Sequence, residues 1–193
     1  TIHTSLENGN EQNAKKLKKK LEKDILRIRN DINRLPAKLE MVFLPYKASM
    51  WDSLESIWMA ADEDESCDTY VIPIPYYDRN QDGSFATIHY EAVLFPEYVP
   101  ITKYSDYDFE GRHPDIIFFH NPYDDLNYVT SVHPDYYTAN LRKWTDCLVY
   151  SPYYATHRGI SEGNVYLPSY DYIDFIVTQS EDVRKNYDKN IPI

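Results

Sequence analysis

The sequence predicts an α/β chain in which a Rossmann-like doubly wound domain of about five parallel strands follows a long N-terminal helix. Three observations carry that prediction. Apolar runs of five or six residues recur without polar alternation, as strands do when both faces of a parallel sheet are covered. Segments with helical spacing separate those runs. The chain from Glu11 to Leu35 holds neither Gly nor Pro and keeps its apolar residues in one register.

That first segment places Ala14, Leu17, Leu21, Ile25, Ile28, Ile32 and Leu35 on a single narrow stripe, close to a heptad seam, and Pro36 ends it. Residues 1–36 are therefore one unit and residues 37–193 the other. A seam this narrow suits another helix, in a coiled-coil homodimer or on a neighbouring domain. The alternatives are an amphipathic helix lying on its own domain, or peripheral contact of the basic run KKLKKKLEK with an anionic membrane surface.

Beyond Pro36, EMVFLPY (40–46) reads as a strand, and SMWDSLESIWMAADED as a helix with Met50, Leu54, Ile57, Trp58 and Ala61 on one face. DTYVIPIPYY (68–77) is the second strand. In the stretch 78–114, RNQDGSF has turn composition and ATIHYEA alternates, which fits a hairpin leaving the sheet or a loop. DIIFFH (115–120), a helical DYYTANLRKW, CLVYSPYY (147–154), YIDFIVTQS and a closing helix EDVRKNYDK complete the pattern.

Composition narrows the function classes. With 193 residues, 42% hydrophobic content and mean hydropathy of −0.61, the chain can bury a core, and no apolar run approaches the ~20 residues of a membrane span. The polar N-terminus lacks the apolar core of a signal peptide, and the missing initial Met is expected of a fragment. Residues 1–40 hold ten Lys or Arg against six Asp or Glu, whereas the rest holds ten against 25, so the body is strongly acidic. Nucleic acid is not an expected partner, because phosphate contacts need Lys and Arg. Cys67 and Cys147 are expected to be reduced thiols, with no metal-ligand spacing around them. No cofactor is expected either: GxGxxG, P-loop and flavin phosphate-loop patterns are all missing.

Four apolar runs end in Pro-Tyr: VFLPY, VIPIPYY, the strand running into HNPYDD, and LVYSPYY. Proline has no N–H to give to a sheet, so it ends the ladder and puts the next residue on the rim. Ligands of open parallel sheets bind beyond the carboxyl ends of strands. Tyr46, Tyr76, Tyr77, Tyr123, Tyr153 and Tyr154 are thus expected to line one edge, where a ring with a hydroxyl suits sugars, polyols or bases. Asn121 and Asp125 join them. His120 is the candidate base, since imidazole titrates near neutrality, and Asp124 the candidate that orients it. Ser49 with Asp52 forms an S-x-x-D box at a helix start beside Lys47, an ordinary cap or an anion seat. Asp135 is expected to cap the helix that follows it.

The segments FLPYKASMWDSLESIWMAADED, YVIPIPYYDRNQDGS, YSDYDFEGRHPDIIFFHNPYDDLNYVTSVHP and IVTQSEDVRKNY resemble the N-terminal half of the CDP-glycerol glycerophosphotransferase family of teichoic-acid synthesis, over roughly residues 40–190. The resemblance implies the acceptor-side domain of a GT-B transferase in cell-surface polymer synthesis, cytoplasmic or peripheral at the inner face of the membrane. It also implies a sugar- or glycerol-phosphate acceptor, a separate C-terminal donor domain and no metal. The family's Trp-His-Gly-Thr motif has no counterpart: that place reads VYSPYYATHRG, with His157 and Arg158 displaced. The rival reading is a non-catalytic carbohydrate- or protein-binding module that dimerises through its N-terminal helix.

Overall fold

A computed structural model describes residues 2–32, 38–154 and 167–191. The chain separates into two units, Thr1–Ala37 and Lys38–Ile193. The first is helix α1 (Ile2–Ile32), whose side chains from Lys15 to Asp31 are all exposed. Its expected end at Pro36 lies outside the described residues.

The second unit is built on a five-stranded, all-parallel sheet: β1 (Leu39–Leu44), β2 (Cys67–Val71), β5 (Ile116–Phe119), β7 (Cys147–Tyr150) and β8 (Phe175–Ile176). Their spatial order is β2-β1-β5-β7-β8. Successive residues of the central strands alternate between two cores. Val42 and Leu44, Ile117 and Phe119, and Leu148 and Tyr150 face one; Phe43, Phe118 and Val149 face the other. That is why Val42 to Leu44, Ile117 to Phe119 and Leu148 to Tyr150 read as unbroken apolar runs: these positions are buried on both faces of the sheet. Each fully buried Leu or Phe contributes about 1.5–3 kcal/mol through loss of apolar surface.

Helix α2 (Asp52–Asp62) covers the second core with Leu54, Trp58 and Ala61, helped by Phe95 and Val99 from the long connection after β2. The first core is closed by α3 (Phe109–Arg112), α4 (Thr138–Trp144) and α5 (Glu181–Asn190), through Phe109, Leu141, Val183 and Tyr187. Ser180 caps α5, its hydroxyl accepting the Val183 N–H.

The run VIPIPYY is not one strand. Regular pairing stops at Val71, yet Ile72 and Ile74 still donate to the Phe43 and Pro45 carbonyls at 2.8 and 2.9 Å. In an extended chain alternate N–H groups point to opposite sides, so Pro73 and Pro75 take the positions facing away from β1, on an edge strand where no donor is required. Tyr76 then opens a second, antiparallel sheet. Its strands are β3 (Tyr76–Arg79), β4 (Phe85–His89) and β6 (Thr130–Val132), in the order β4-β3-β6. The expected hairpin is therefore present, with Gly83 at φ +83° in its turn. Strand β6 was not foreseen.

Candidate functional site

The chain steps from β1 outward to β2, then returns across β1 to begin β5 on its other side. The switch point where the connections diverge therefore lies between the carboxyl ends of β1 and β5, where open α/β sheets accept ligands. Pro45-Tyr46 leaves the sheet on one side of it and His120-Asn121 on the other.

His120 occupies this point, and it is fully buried. The Tyr46 backbone N–H donates to its Nε2 at 3.1 Å. A backbone amide can only donate, so Nε2 is the unprotonated nitrogen and Nδ1 carries the hydrogen of the neutral ring. Nδ1 lies 3.1 Å from the Ser53 hydroxyl, which accepts from it while donating to the Met50 carbonyl at 2.8 Å. Burial drives the imidazole down to about 3. Ser151 adds a further stitch, donating to the Ser53 carbonyl at 2.9 Å. His120 thus joins the ends of β1 and β5 to the start of α2, and both its nitrogens are engaged. The general-base role expected of it has no free lone pair facing a ligand in this arrangement.

Asp124 does not orient His120. At φ +48°, it turns back over α4, and its two carboxylate oxygens accept the Thr138 N–H at 3.0 Å and the Thr138 hydroxyl at 2.6 Å. It serves as the cap of α4, and burial holds its carboxyl above the ordinary value. Asp135 is not a cap; the His133 ring accepts the Asp135 N–H instead.

The Ser49–Asp52 box is also unmade. Trp51 stands at the N-cap of α2 with no side-chain cap, and Ser49 is exposed. Glu91, from the connection after β4, fills the proposed anion seat. One oxygen accepts the Ala48 N–H at 2.8 Å and the other the Tyr76 hydroxyl at 2.6 Å. The Lys47 ammonium sits over the Tyr76 and Tyr46 rings, at 4.9 and 5.5 Å from their centres.

The tyrosines divide. Tyr46 and Tyr76 are buried edge-to-face 5.3 Å apart, Tyr46 packs against His120 at 5.2 Å, and Tyr153 approaches the same ring at 5.8 Å. Tyr123, Tyr153 and Tyr154 are half-buried. Tyr46 and Tyr153 both pack on the His120 ring, Tyr153 meets Tyr154 edge-to-face with ring centres 5.2 Å apart, and Tyr123 is close enough to Tyr153 and Tyr154 for their phenols to influence one another. Burial pushes the Tyr123 and Tyr153 phenols up to about 12, with Tyr154 and Tyr123 as their respective nearest phenolic contributors, and pushes Tyr46 higher still. Tyr77 stands apart in the hairpin, stacked on Phe85 at 4.7 Å, and Asp125 is exposed. Asn121 accepts the Tyr123 N–H at 3.1 Å, and its amide nitrogen is buried without a partner among the described residues. His157 and Arg158 lie outside the described residues.

Sequence reasoning missed the continuation of this belt. Tyr150, Tyr170 and Tyr187 extend it over the first core, with ring centres 6.2 and 6.0 Å apart in succession. Tyr170 and Tyr187 line a cavity of about 340 Å³ between β8 and α5, with Ile173, Phe175, Thr178 and Arg184. Arg184 is already tied to Glu181 and Asp188, at 2.7 to 2.9 Å. The signal for it was the surplus of Tyr over Phe, 19 against 7, which composition shows without position. Ser53 and Glu91 were missed because their partners lie 67 and 43 positions away.

Among the described residues no cluster of three or more His, Cys, Asp or Glu is placed to hold a metal, and no helix is long and apolar enough to cross a membrane. Comparison with protein-family models, with curated proteins and with solved structures finds no match to this chain.

Proposed function

We propose that residues 38–193 are the acceptor-side binding domain of a GT-B-like transferase in cell-surface polymer synthesis, holding a hydroxyl-rich sugar or glycerol unit against the belt of phenols. The observation that supports this is the belt itself. Phenols from the carboxyl ends of β1, β5 and β7 meet beside the switch point, and their line continues to the cavity at Tyr170 and Tyr187. Rings with hydroxyl edges match the alternating C–H and O–H faces of a polyol. The cation at the cavity, Arg184, is already paired, which favours neutral hydroxyls over a bare phosphate. His120, neutral and pinned, contributes architecture here, and the base comes from elsewhere in the catalytic assembly.

The test is ligand-observed NMR on the whole chain with three probes: a neutral sugar or polyol series, glycerol phosphate and CDP-glycerol. The neutral series is expected to bind, Tyr123→Phe and Tyr187→Phe to weaken it severalfold, and CDP-glycerol not to compete. Saturation transfer to none of the three, or binding indifferent to both substitutions, would sink the proposal. The second reading, a non-catalytic module, is favoured by the engagement of both His120 nitrogens. It is separated from the first by assaying CDP-glycerol consumption in the complete reading frame. Turnover there decides for the transferase.

A further inference from the structure

Helix α1 leaves an apolar line uncovered. Leu17, Leu21, Ile25 and Ile28 are 68, 62, 54 and 58% exposed. At 100° per residue they span about 80° of the helix surface. A helix that lies on a sheet or a lipid surface shows an apolar face of about 100° or more, whereas a strict seam of this width belongs to helix pairing.

We propose that α1 pairs in parallel with α1 of a second copy of this chain, as a two-stranded coiled coil. Leu21 and Ile28 take the d positions, Ile25 takes a, Leu17 flanks the seam at g, and Lys18 falls on the preceding a position, where a polar residue restricts register at some expense of stability. The same frame puts Asp24 at g and Arg29 at e. In a parallel pair each g residue faces the e residue five positions later on the other helix. Asp24 therefore meets Arg29 of the second copy, and symmetry makes the contact twice. An antiparallel pair instead faces g with g, opposing Asp24 and Asp31, and the Glu22 to Arg29 contact it gains only offsets that repulsion. Lys16, Lys19, Lys20 and Lys23 fall at f, b, c and f, on the solvent side of the pair, while Lys15 takes an e position beside the seam.

The experiment is sedimentation equilibrium of the full 193-residue chain at low ionic strength, where charge pairing is least screened. A species of twice the 22.8 kDa chain mass is expected. Asp24→Arg or Arg29→Asp alone exchanges two attractions for two repulsions and is expected to weaken the dimer by roughly tenfold. The double exchange restores it. Fluorescence-detected unfolding of the Trp51, Trp58 and Trp144 body serves as control and is expected to be unchanged in every variant. Five results overturn the proposal: a monomer at tens of micromolar, a trimer, a dimer that survives Leu21→Asp with Ile25→Asp, a double exchange weaker than either single, or monomers that sediment with anionic vesicles. Tighter association of Asp24→Arg would assign the antiparallel arrangement instead.

Discussion

His120→Gln tests the architecture of the switch point through pH. In the folded chain burial holds the His120 imidazole at about 3, against an ordinary value of 6.5. The unfolded chain therefore binds a proton that the folded one refuses throughout the interval between those values. Stability tied to this group is complete above the unfolded value and is lost as pH falls towards the folded one. Between pH 7 and pH 5 the loss works out to about 2 kcal/mol, a large fraction of the 5–15 kcal/mol typical of a domain. The glutamine removes the titration and keeps an acceptor within reach of the Tyr46 N–H, at a baseline penalty of about 1–3 kcal/mol for the lost ring contacts. Urea unfolding followed by tryptophan fluorescence at pH 7, 6 and 5 is the assay. Wild type should lose about 2 kcal/mol more than the variant over that range. Asp124 acts in the opposite sense: its raised carboxyl value gives stability in acid that fades as pH rises, and it is common to both proteins, so the difference cancels it. Parallel pH profiles for wild type and variant would refute the neutral, enclosed imidazole, and with it the claim that His120 is an architectural residue.

Two further outcomes follow from the site. Asp124→Ala removes both acceptors from Thr138 at the start of α4, and the urea midpoint at pH 7 should fall by the equivalent of about 1–2 kcal/mol, with Thr138→Val costing no more once Asp124 is gone. Burial raises the Tyr46, Tyr76, Tyr150 and Tyr170 phenols well above their ordinary value of 10, so these stay protonated when exposed tyrosines ionise. The folded chain then holds protons that the unfolded chain has lost. Stability from these phenols is present below pH 10 and disappears as pH rises beyond it. Absorbance at about 295 nm should rise in two stages, the second coinciding with unfolding; a single smooth titration would show Tyr46, Tyr76, Tyr150 and Tyr170 to be open to solvent.

Much of the scaffold was legible from consecutive residues alone. A strand enclosed on both faces needs apolar side chains at every position, so Val42 to Leu44, Ile117 to Phe119 and Leu148 to Tyr150 announced a parallel sheet by themselves. The Pro-Tyr endings marked where those strands stop, because proline cannot continue a ladder. The same rule misled at VIPIPYY: Pro73 and Pro75 face outward from an edge strand and leave the alternate donors free to continue, and Tyr76 begins another sheet. Strand β6 carries only three residues, too few for any period to register.

The site was legible in composition and illegible in roles. The chain's residues by themselves settled that an imidazole and several phenols would reach the strand tips, since strand ends and side-chain chemistry are local properties. Which of those groups remain free was decided by closure of the fold. His120 became an acceptor for an amide 74 positions away, Asp124 a cap for a helix 14 positions on, and Glu91 the occupant of an amide that an anion would otherwise take. Hydrogen-bond partners so far apart along the chain are chosen by burial, where every polar group must find a partner or bear the loss of water, and no local pattern encodes that choice.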